Sequence, residues 1–595
     1  MFGKKKPATR QRQRSGGAHR HKSRSGKPQS MEDTLDDFVV EEIEIGDVGG
    51  GAAVGPASRA RRRTRASTAG ARMALFWIVL CLMIAIASVA TRGLWPPVET
   101  RFLSIAWGMW TTGDWLHPML NGQTLSSQPP LVLWLVLAGW KVLGVNDWWP
   151  RLLPGLCALG TLAATQRLAR RFWPQETDVQ RYAPVILIGT GLWAFFVTLA
   201  LPEMAVVLLV VLTALAVESM AAARPFAWLP AGLLTAAGIL AAGPVFLVYV
   251  GPLALLAPFW CRDDVPKKFR WTPQLLKLAL VAAMPVGAWL AKTVHGLDGI
   301  EQWLLQPWVH PLSLFAQHGS WWWYLFLLPF VFLPWSVWPL PWLRLWDARS
   351  EPTDRGVQFA MLWSLPTILL LSLFSTRQPQ MLLPLAPVYA MIISWLLLRE
   401  EHAQDGEDGV FAGMAVPALV IGGVLAVLPG LPRLSLLPSF LWDLSPMVGV
   451  AVAAIGIGLT FLPGARVKER INTIAVTVMF AGVVGSFAFG YGMHKRYQLS
   501  ALAHTMNSLE AKQFPVAVVG PYDGQLHFVG RLYRPFDVVN AKTVAGWAAS
   551  HPDGVLLTYS DGWQPLASPK QQPLYQAKMG PRTVLLWSAD VVLTR

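Results

Sequence analysis

Residues 73–90, MALFWIVLCLMIAIASVA, follow Arg72 without a single charged side chain. A bilayer core is crossed by about 20 apolar residues of helix, so this run reads as a first membrane span. Ahead of it, basic clusters at Lys4-Lys5-Lys6, Arg10 to Lys27 and Arg59 to Arg65 flank an acidic stretch from Glu32 to Asp47, among Gly, Ser and Ala. Such a segment has nothing with which to build a core, and residues 1–72 read as a disordered cytoplasmic tail. Its charge is explained by positive-inside orientation and contact with anionic lipid, with no need of nucleic acid. The tail lacks a secretory n-region and cleavage site, so the first apolar run is expected to stay as an anchor.

Further runs of spanning length are read at 152–169, 183–200, 205–222, 226–242, 245–260, 275–293, 321–343, 357–374, 381–398, 411–429, 445–463 and 471–492, making about thirteen crossings. The connections that fall on the tail's side hold Arg167-Arg170-Arg171, Arg224, Lys267-Lys268-Arg270, Arg344 to Arg355, Arg399 and Arg466-Lys468-Arg470, while the opposite side is nearly free of Lys and Arg. That asymmetry is what positive-inside orientation produces. Composition agrees: of 595 residues 53% are hydrophobic and 14% charged, against about 25% charged in soluble chains, which excludes a large soluble enzyme. The fold expected is an α-helical polytopic membrane protein, residues 73–494, with an external loop at 91–150. That loop carries amphipathic pieces at Arg101 to Trp110 and Leu131 to Leu143, the latter expected to lie on the membrane or dip into it. Residues 495–595 turn polar. Short apolar runs at Pro515 to Gly520, Gly554 to Tyr559 and Thr583 to Trp587 alternate with turn signals, and Leu499 to Gln513 has helical spacing. They predict a small α/β domain on the outer side.

Cys81, Cys157 and Cys261 lie in or beside apolar runs without metal-ligand spacing and read as buried small hydrophobes. Polar residues gather on the outer side: Glu99 and Arg101 after the first span, Glu203 behind Pro202, His310, Gln317 and His318 before Trp321-Trp322-Trp323-Tyr324, and Arg377, Gln378 and Gln380 in a short connection. A carboxylate beside a cation at a membrane face suits a phosphorylated lipid reacting with a hydroxyl. The acid accepts the proton and Arg neutralises the phosphate leaving group. Each also has a plainer reading: Glu203 as a helix-start charge, Glu99 with Arg101 as a surface ion pair, the Trp run as an interfacial belt, His318 as a loop histidine.

The stretch Pro97-Val-Glu-Thr-Arg-Phe-Leu-Ser-Ile-Ala, with Thr112-Gly-Asp-Trp-Leu-His-Pro-Met-Leu-Asn-Gly, Gln128-Pro-Pro-Leu and Leu143-Gly-Val-Asn-Asp-Trp-Trp-Pro-Arg-Leu, resembles the first periplasmic loop of family 39 type GT-C glycosyltransferases. Lipid A aminoarabinose transferase and the protein O-mannosyltransferases are members. Leu201-Pro-Glu-Met-Ala, Gly243-Pro, His318-Gly-Ser-Trp-Trp-Trp-Tyr-Leu, Leu333-Pro-Trp and Ser375-Thr-Arg-Gln-Pro-Gln-Met-Leu-Leu-Pro-Leu-Ala-Pro follow in that family's order, over roughly residues 75 to 400. The resemblance implies an inner-membrane hexosyl- or pentosyltransferase that moves a sugar with inversion from a polyprenyl-phosphate carrier to lipid A, a polysaccharide or a protein on the periplasmic face. It implies Glu99 and Glu203 as catalytic acids, and Arg101, Arg377, His318, Gln128 and Gln380 as substrate-binding residues. The family's Asp, Lys and Lys are Val98, Gln128 and Ala242 here, so general-base and phosphate-side groups are missing. No cofactor is required beyond the carrier-linked sugar as donor substrate. A divalent metal is expected only if Glu99, Glu203 and His318 converge. Membrane lipid and the envelope acceptor are the expected partners. The rival readings are a lipid-linked sugar flippase and a catalytically inactive scaffold.

Overall fold

The computed structural model describes residues 56–593, apart from 126–127, 262–269, 295–298, 302, 305–321, 349–353, 375–377, 400–411, 433–445, 447–448, 451–452, 454–465, 498, 564–571 and 581. The tail to residue 55, His310, Gln317, His318, Trp321, Arg377 and most of the expected span at 445–463 lie outside the described residues. The principal helices are α1 (Pro56–Thr91), α2 (Val98–Thr112), α3 (Leu131–Leu143), α4 (Trp148–Phe172), α5 (Thr177–Ile188), α6 (Gly191–Val197), α7 (Glu203–Ala221), α8 (Trp228–Ala242), α9 (Phe246–Leu255), α10 (Trp271–Thr293), α11 (Trp323–Val331), α12 (Arg355–Ser372), α13 (Ala386–Leu398), α14 (Val467–Arg496) and α15 (Leu499–Ala511).

Six apolar stretches among the described residues are long enough to cross a bilayer: Ala74–Thr91, Glu203–Ala221, Trp228–Leu255, Trp271–Thr293, Pro379–Leu398 and Val467–Phe487. Of the other runs read in the sequence, 152–169 and 357–374 lie in the continuous helices α4 and α12, 445–463 is largely outside the described residues, and two are broken for local reasons. The run at 183–200 breaks into α5 and α6 at Gly189-Thr190, where the Trp335 ring presses on Gly189 so closely that a Cβ there would stand 2.6 Å from it. The run at 321–343 is cut by prolines into α11, a short 3-10 turn at Trp335–Val337 and a helix at Pro339–Ala348. Residues 228–255 bend at Gly243 (φ +74). A Cβ on Gly238 would meet the Phe246 ring at 2.1 Å. Eight residues rise about 12 Å along a straight helix, so the chain folds back at Gly243. The three cysteines are buried and form no disulfide with one another, as their surroundings predict.

Two polar layers bracket the apolar bundle. Glu203 opens α7 and Glu218 closes it. Fifteen residues of helix separate them by about 22 Å. At the Glu218 end, Arg171 approaches Glu218 at 3.7 Å and Lys468 pairs with Asp178 at 2.6 Å. At the other end lie Arg92, Glu99, Asp147 and Arg151.

The loop after the first span folds as a compact platform. Pro97 precedes α2, and Gly113 ends it in the left-handed region at φ 71. Two two-residue strands, β1 (Met119–Leu120) and β2 (Gln123–Thr124), pair antiparallel around Asn121-Gly122 at φ 50 and 76, the positive-φ pair that a two-residue hairpin requires. Pro129-Pro130 starts α3. Rather than simply lying on the membrane, α3 packs inward: Trp140 is buried and stacks on Phe528 at 5.2 Å, while Leu135, Val142 and Leu143 stay exposed.

Phe528 belongs to the C-terminal α/β segment. Its five strands, β3 (Val516–Val519), β4 (Asp537–Val539), β5 (Val555–Tyr559), β6 (Tyr575–Met579) and β7 (Arg582–Ser588), form one sheet in the order β4-β3-β5-β7-β6. The first three run parallel, and β7 is antiparallel to both β5 and β6. Strands β3, β5 and β7 and helix α15 match the sequence reading; β4 and β6 are short or mixed in character and gave no run to read. The sheet docks on α2 through Ser104 Oγ donating to the Gly524 carbonyl at 2.6 Å and Trp107 Nε1 donating to the Leu532 carbonyl at 2.7 Å. Asn121 exchanges both amide hydrogen bonds with Phe536.

Candidate active site

Glu99, in the first turn of α2, is fully buried. Its Oε1 accepts from Arg92 Nη2 at 2.9 Å and from the Ala200 amide at 2.6 Å; its Oε2 accepts from Arg92 Nη1 and from the Trp95 amide at 2.8 Å. Burial alone would raise this carboxyl, but the Arg92 charge and hydrogen bonds, the Ala200 amide and the more distant Arg151 bring it below the ordinary carboxylate value. A carboxylate has about four lone-pair sites, and all are taken here. Of the two roles read for Glu99, base or charge partner, this geometry favours the charge partner, an ionised clamp on Arg92. Arg92 also donates to the Thr198 carbonyl, and Ser88 Oγ reaches the same carbonyl at 2.9 Å. The clamp thus ties the end of α1 and the start of α2 to residues 198–200, the turn that delivers Glu203.

Arg101, read as a substrate-binding residue, is engaged by a carboxylate in this structure. Its Nη1 pairs with Asp523 Oδ1 at 3.0 Å and joins α2 to the C-terminal sheet. Gln128 is half-buried in the turn ahead of α3, its amide donating to the Leu125 carbonyl at 3.0 Å.

Glu203 stands differently. It is the first residue of α7, behind Pro202, and its carboxylate meets its own backbone N–H as a helix-start acid does. Its Oε2 is nevertheless buried with no hydrogen-bond partner among the described residues. Tyr249 on α9 lies within electrostatic range of Glu203 and of Tyr324 on α11. Both phenols converge on the 3-10 turn at Pro379–Leu385: Tyr249 Oη donates to the Met381 carbonyl at 2.9 Å, and Tyr324 Oη lies 3.1 Å from Met381 Sδ. The Gln378 amide donates to Tyr324 Oη at 3.2 Å, and Gln380 Nε2 donates to Gln378 Oε1 at 2.6 Å. Gln378 Nε2 and Gln380 Oε1 are buried and, among the described residues, unpartnered.

Buried polar atoms in folded proteins are almost always paired. Here a carboxylate oxygen, an amide donor and an amide acceptor go unpaired, on α7 and on the turn that packs against it, all derived from outer-end residues of the sequence reading. This is the equipment for holding a polyhydroxylated ligand. Glu203 and Gln380 were legible in the sequence; Tyr249 was not, because a tyrosine inside an apolar run carries no positional signal. Arg92 and Arg151 were also passed over, although a cation just beyond the first span departs from the otherwise sparse basic content of the outer side. Among the described residues no group of three His, Cys, Asp or Glu side chains is placed to hold a metal ion, and Glu99 is engaged by Arg92.

No family model matches the chain. Undecaprenyl phosphate-alpha-4-amino-4-deoxy-L-arabinose arabinosyl transferase 2 of Pseudomonas fluorescens (strain Pf0-1) is 27% identical over 374 residues, 59% of this chain and 63% of that protein. The transferase of the same name, without the numeral, from Pseudomonas paraeruginosa (strain DSM 24068 / PA7) is 27% identical over 374 residues, covering 58% and 64%. The matched part is thus under two thirds of either relative. ArnT from Cupriavidus metallidurans, solved in the apo state, superposes with a TM-score of 0.68 at 17% identity, covering 87% of this chain and 99% of that one. The chain is related in sequence to these transferases and shares the fold of ArnT. The same Cupriavidus protein has been solved bound to undecaprenyl phosphate, again at a TM-score of 0.68. Within this shared fold, the Glu203 cluster and the Glu99 clamp occupy one end of the bundle, next to the loop platform.

Proposed function

We propose that the chain is an inverting glycosyltransferase of the inner membrane. It moves a sugar of the 4-amino-4-deoxy-L-arabinose class, named in its relatives, from a polyprenyl-phosphate carrier to an envelope lipid acceptor on the periplasmic face. The observation that carries this reading is the set of unpartnered polar atoms on Glu203, Gln378 and Gln380 inside a fold shared with ArnT. In the proposed step the acceptor oxygen attacks the anomeric carbon as the bond to the carrier phosphate oxygen breaks. Glu203 takes the acceptor's proton where the acceptor is a hydroxyl, and polyprenyl phosphate leaves with the electron pair. An acceptor that is itself a phosphate is already ionised, and Glu203 then serves to orient the sugar. Gln378 and Gln380 hold sugar hydroxyl or amino groups, while Arg377 and His318 are the proposed partners of the carrier phosphate. Glu99 keeps its place through the clamp and touches no substrate.

The test is transfer of radiolabelled aminoarabinose from undecaprenyl phosphate to lipid A by the purified full chain in detergent, run beside a panel of other polyprenyl-phosphate sugars. Transfer that Glu203→Gln removes supports the reading. Transfer that survives Glu203→Gln, Gln380→Ala and Arg377→Ala removes the site. No transfer from any donor by a folded preparation leaves the flippase or the scaffold.

A further inference from the structure

A second cavity lies apart from the Glu203 cluster, where the loop platform meets the C-terminal segment. It encloses about 190 Å³ and is lined by Asp147, Arg151, Tyr497, Ser500, Phe528 and Arg531, among others. Its depth follows from the chain: Gly93 and Leu94 also line it, just past Thr91 where the first apolar helix ends. Tyr497 and Ser500 follow the end of α14, whose residues 467–487 are another spanning stretch. The cavity therefore lies just past the end of the first spanning stretch, and the helix of the last one runs about 15 Å beyond its own spanning residues to reach it.

Its charge is set by two guanidiniums and one carboxylate. Arg151 is 3% exposed; its Nη2 pairs with Asp147 Oδ2 at 2.7 Å and its Nη1 donates to the Arg92 carbonyl at 2.6 Å. Its Nε, buried, has no partner among the described residues. Across the cavity Arg531 is held in the left-handed region at φ 52, where a non-glycine residue is costly. Its guanidinium lies 4.0 Å from the Phe528 ring centre and 5.4 Å from that of Trp107, with Nη1 donating to the Phe528 carbonyl at 2.9 Å. Two aromatic faces and a strained backbone thus hold this cation at the cavity wall. The neighbouring Arg92–Glu99 pair is neutral as a whole, so the cavity carries a net positive charge.

We propose that this cavity is a binding subsite for the phosphate monoester of a lipid headgroup, held between Arg531 and Arg151. The class follows from the chemistry: guanidinium groups recognise phosphate oxygens by charge-assisted hydrogen bonds, and the position just past the end of the first span places a lipid's phosphate within reach. The assignment of that lipid as the acceptor rests on the transferase reading; the binding itself does not.

The test uses the full chain in phosphatidylcholine nanodiscs, with dioctanoyl phosphatidic acid and inorganic phosphate as probes. The rate of phenylglyoxal modification of Arg531 is followed by peptide mass spectrometry. Phosphatidic acid is expected to slow modification severalfold at concentrations where inorganic phosphate does not. Equal protection by inorganic phosphate supports a phosphate subsite and reassigns its source to the free ion. Arg531→Asn, which tolerates the left-handed backbone, is expected to weaken binding of fluorescent phosphatidic acid about tenfold, the effect of one lost charged hydrogen bond, with circular dichroism unchanged. No protection by either probe, or parental lipid affinity in Arg531→Asn, overturns the proposal. Glu203→Gln should retain protection, so a failure of transfer with protection intact counts against the transferase reading and not against this site.

Discussion

Replacing Glu99 by Gln separates the clamp from a proton acceptor. Gln keeps one carbonyl oxygen and puts an NH2 where the other oxygen accepted one Arg92 nitrogen and one backbone amide. Two hydrogen bonds become donor-to-donor contacts, and Arg92, 6% exposed, is left without its counter-charge. Removing one partner of a buried ion pair costs about 3–5 kcal/mol. Unfolding by SDS titration in mixed micelles should show a loss of that size, with transfer falling in parallel as the 198–200 turn loosens. Arg92→Met added to Glu99→Gln removes the stranded cation, and the double variant should be more stable than the sum of the two singles by about 1–3 kcal/mol. A Glu99→Gln protein with parental unfolding free energy and transfer reduced more than about a hundredfold, the scale of a lost general base, would refute the clamp and make Glu99 the proton acceptor.

Glu203→Gln should lower transfer to a hydroxyl acceptor by about 10²–10⁴-fold with little loss of stability, because the oxygen it alters has no partner to lose; single-turnover transfer beside SDS unfolding checks both. Gln380→Ala should reduce kcat/KM by about 5–10-fold, the value of one ligand hydrogen bond, measured against carrier-sugar concentration. His527 is buried, with Nδ1 on Tyr522 Oη at 2.7 Å, and burial pushes its imidazole down to about 4 from 6.5. The unfolded chain therefore binds the extra proton, and stability that is complete above pH 6.5 falls as pH drops toward 4, by about 2 kcal/mol at pH 5. Hydrogen exchange of the C-terminal strands at pH 7 and pH 5, corrected for intrinsic rates, should show this loss, and His527→Gln should flatten it.

Much of the site's location was legible in one dimension, and its chemistry was not. Glu99, Glu203 and Gln380 stand out because charged and amide side chains are scarce among so many apolar residues. The same scarcity drew attention to Arg101, which docks the C-terminal sheet through Asp523, 422 residues away in sequence. What separates the acids is partners: Glu99 is saturated by Arg92, Trp95 and Ala200, and Glu203 is left with a bare oxygen. Arg92 and Trp95 stand seven and four residues before Glu99, but that both reach its carboxylate, joined by Ala200 from 101 residues away, is not visible in the sequence.

The sequence by itself determined the membrane character, the α/β nature of the C-terminal segment and the turn at Asn121-Gly122, because apolar run length, strand patterning and positive-φ preference are local properties. It also grouped the polar residues at one end of the bundle, since stranding them in lipid is costly. Only the tertiary structure decided which apolar runs break, through contacts such as Trp335 on Gly189 and Phe246 on Gly238. It likewise decided which acid is spent and which is available. A carboxylate's role depends on how many donors reach it, and at Glu99 the Ala200 amide, 101 residues away, joins the nearby Arg92 and Trp95 only on folding.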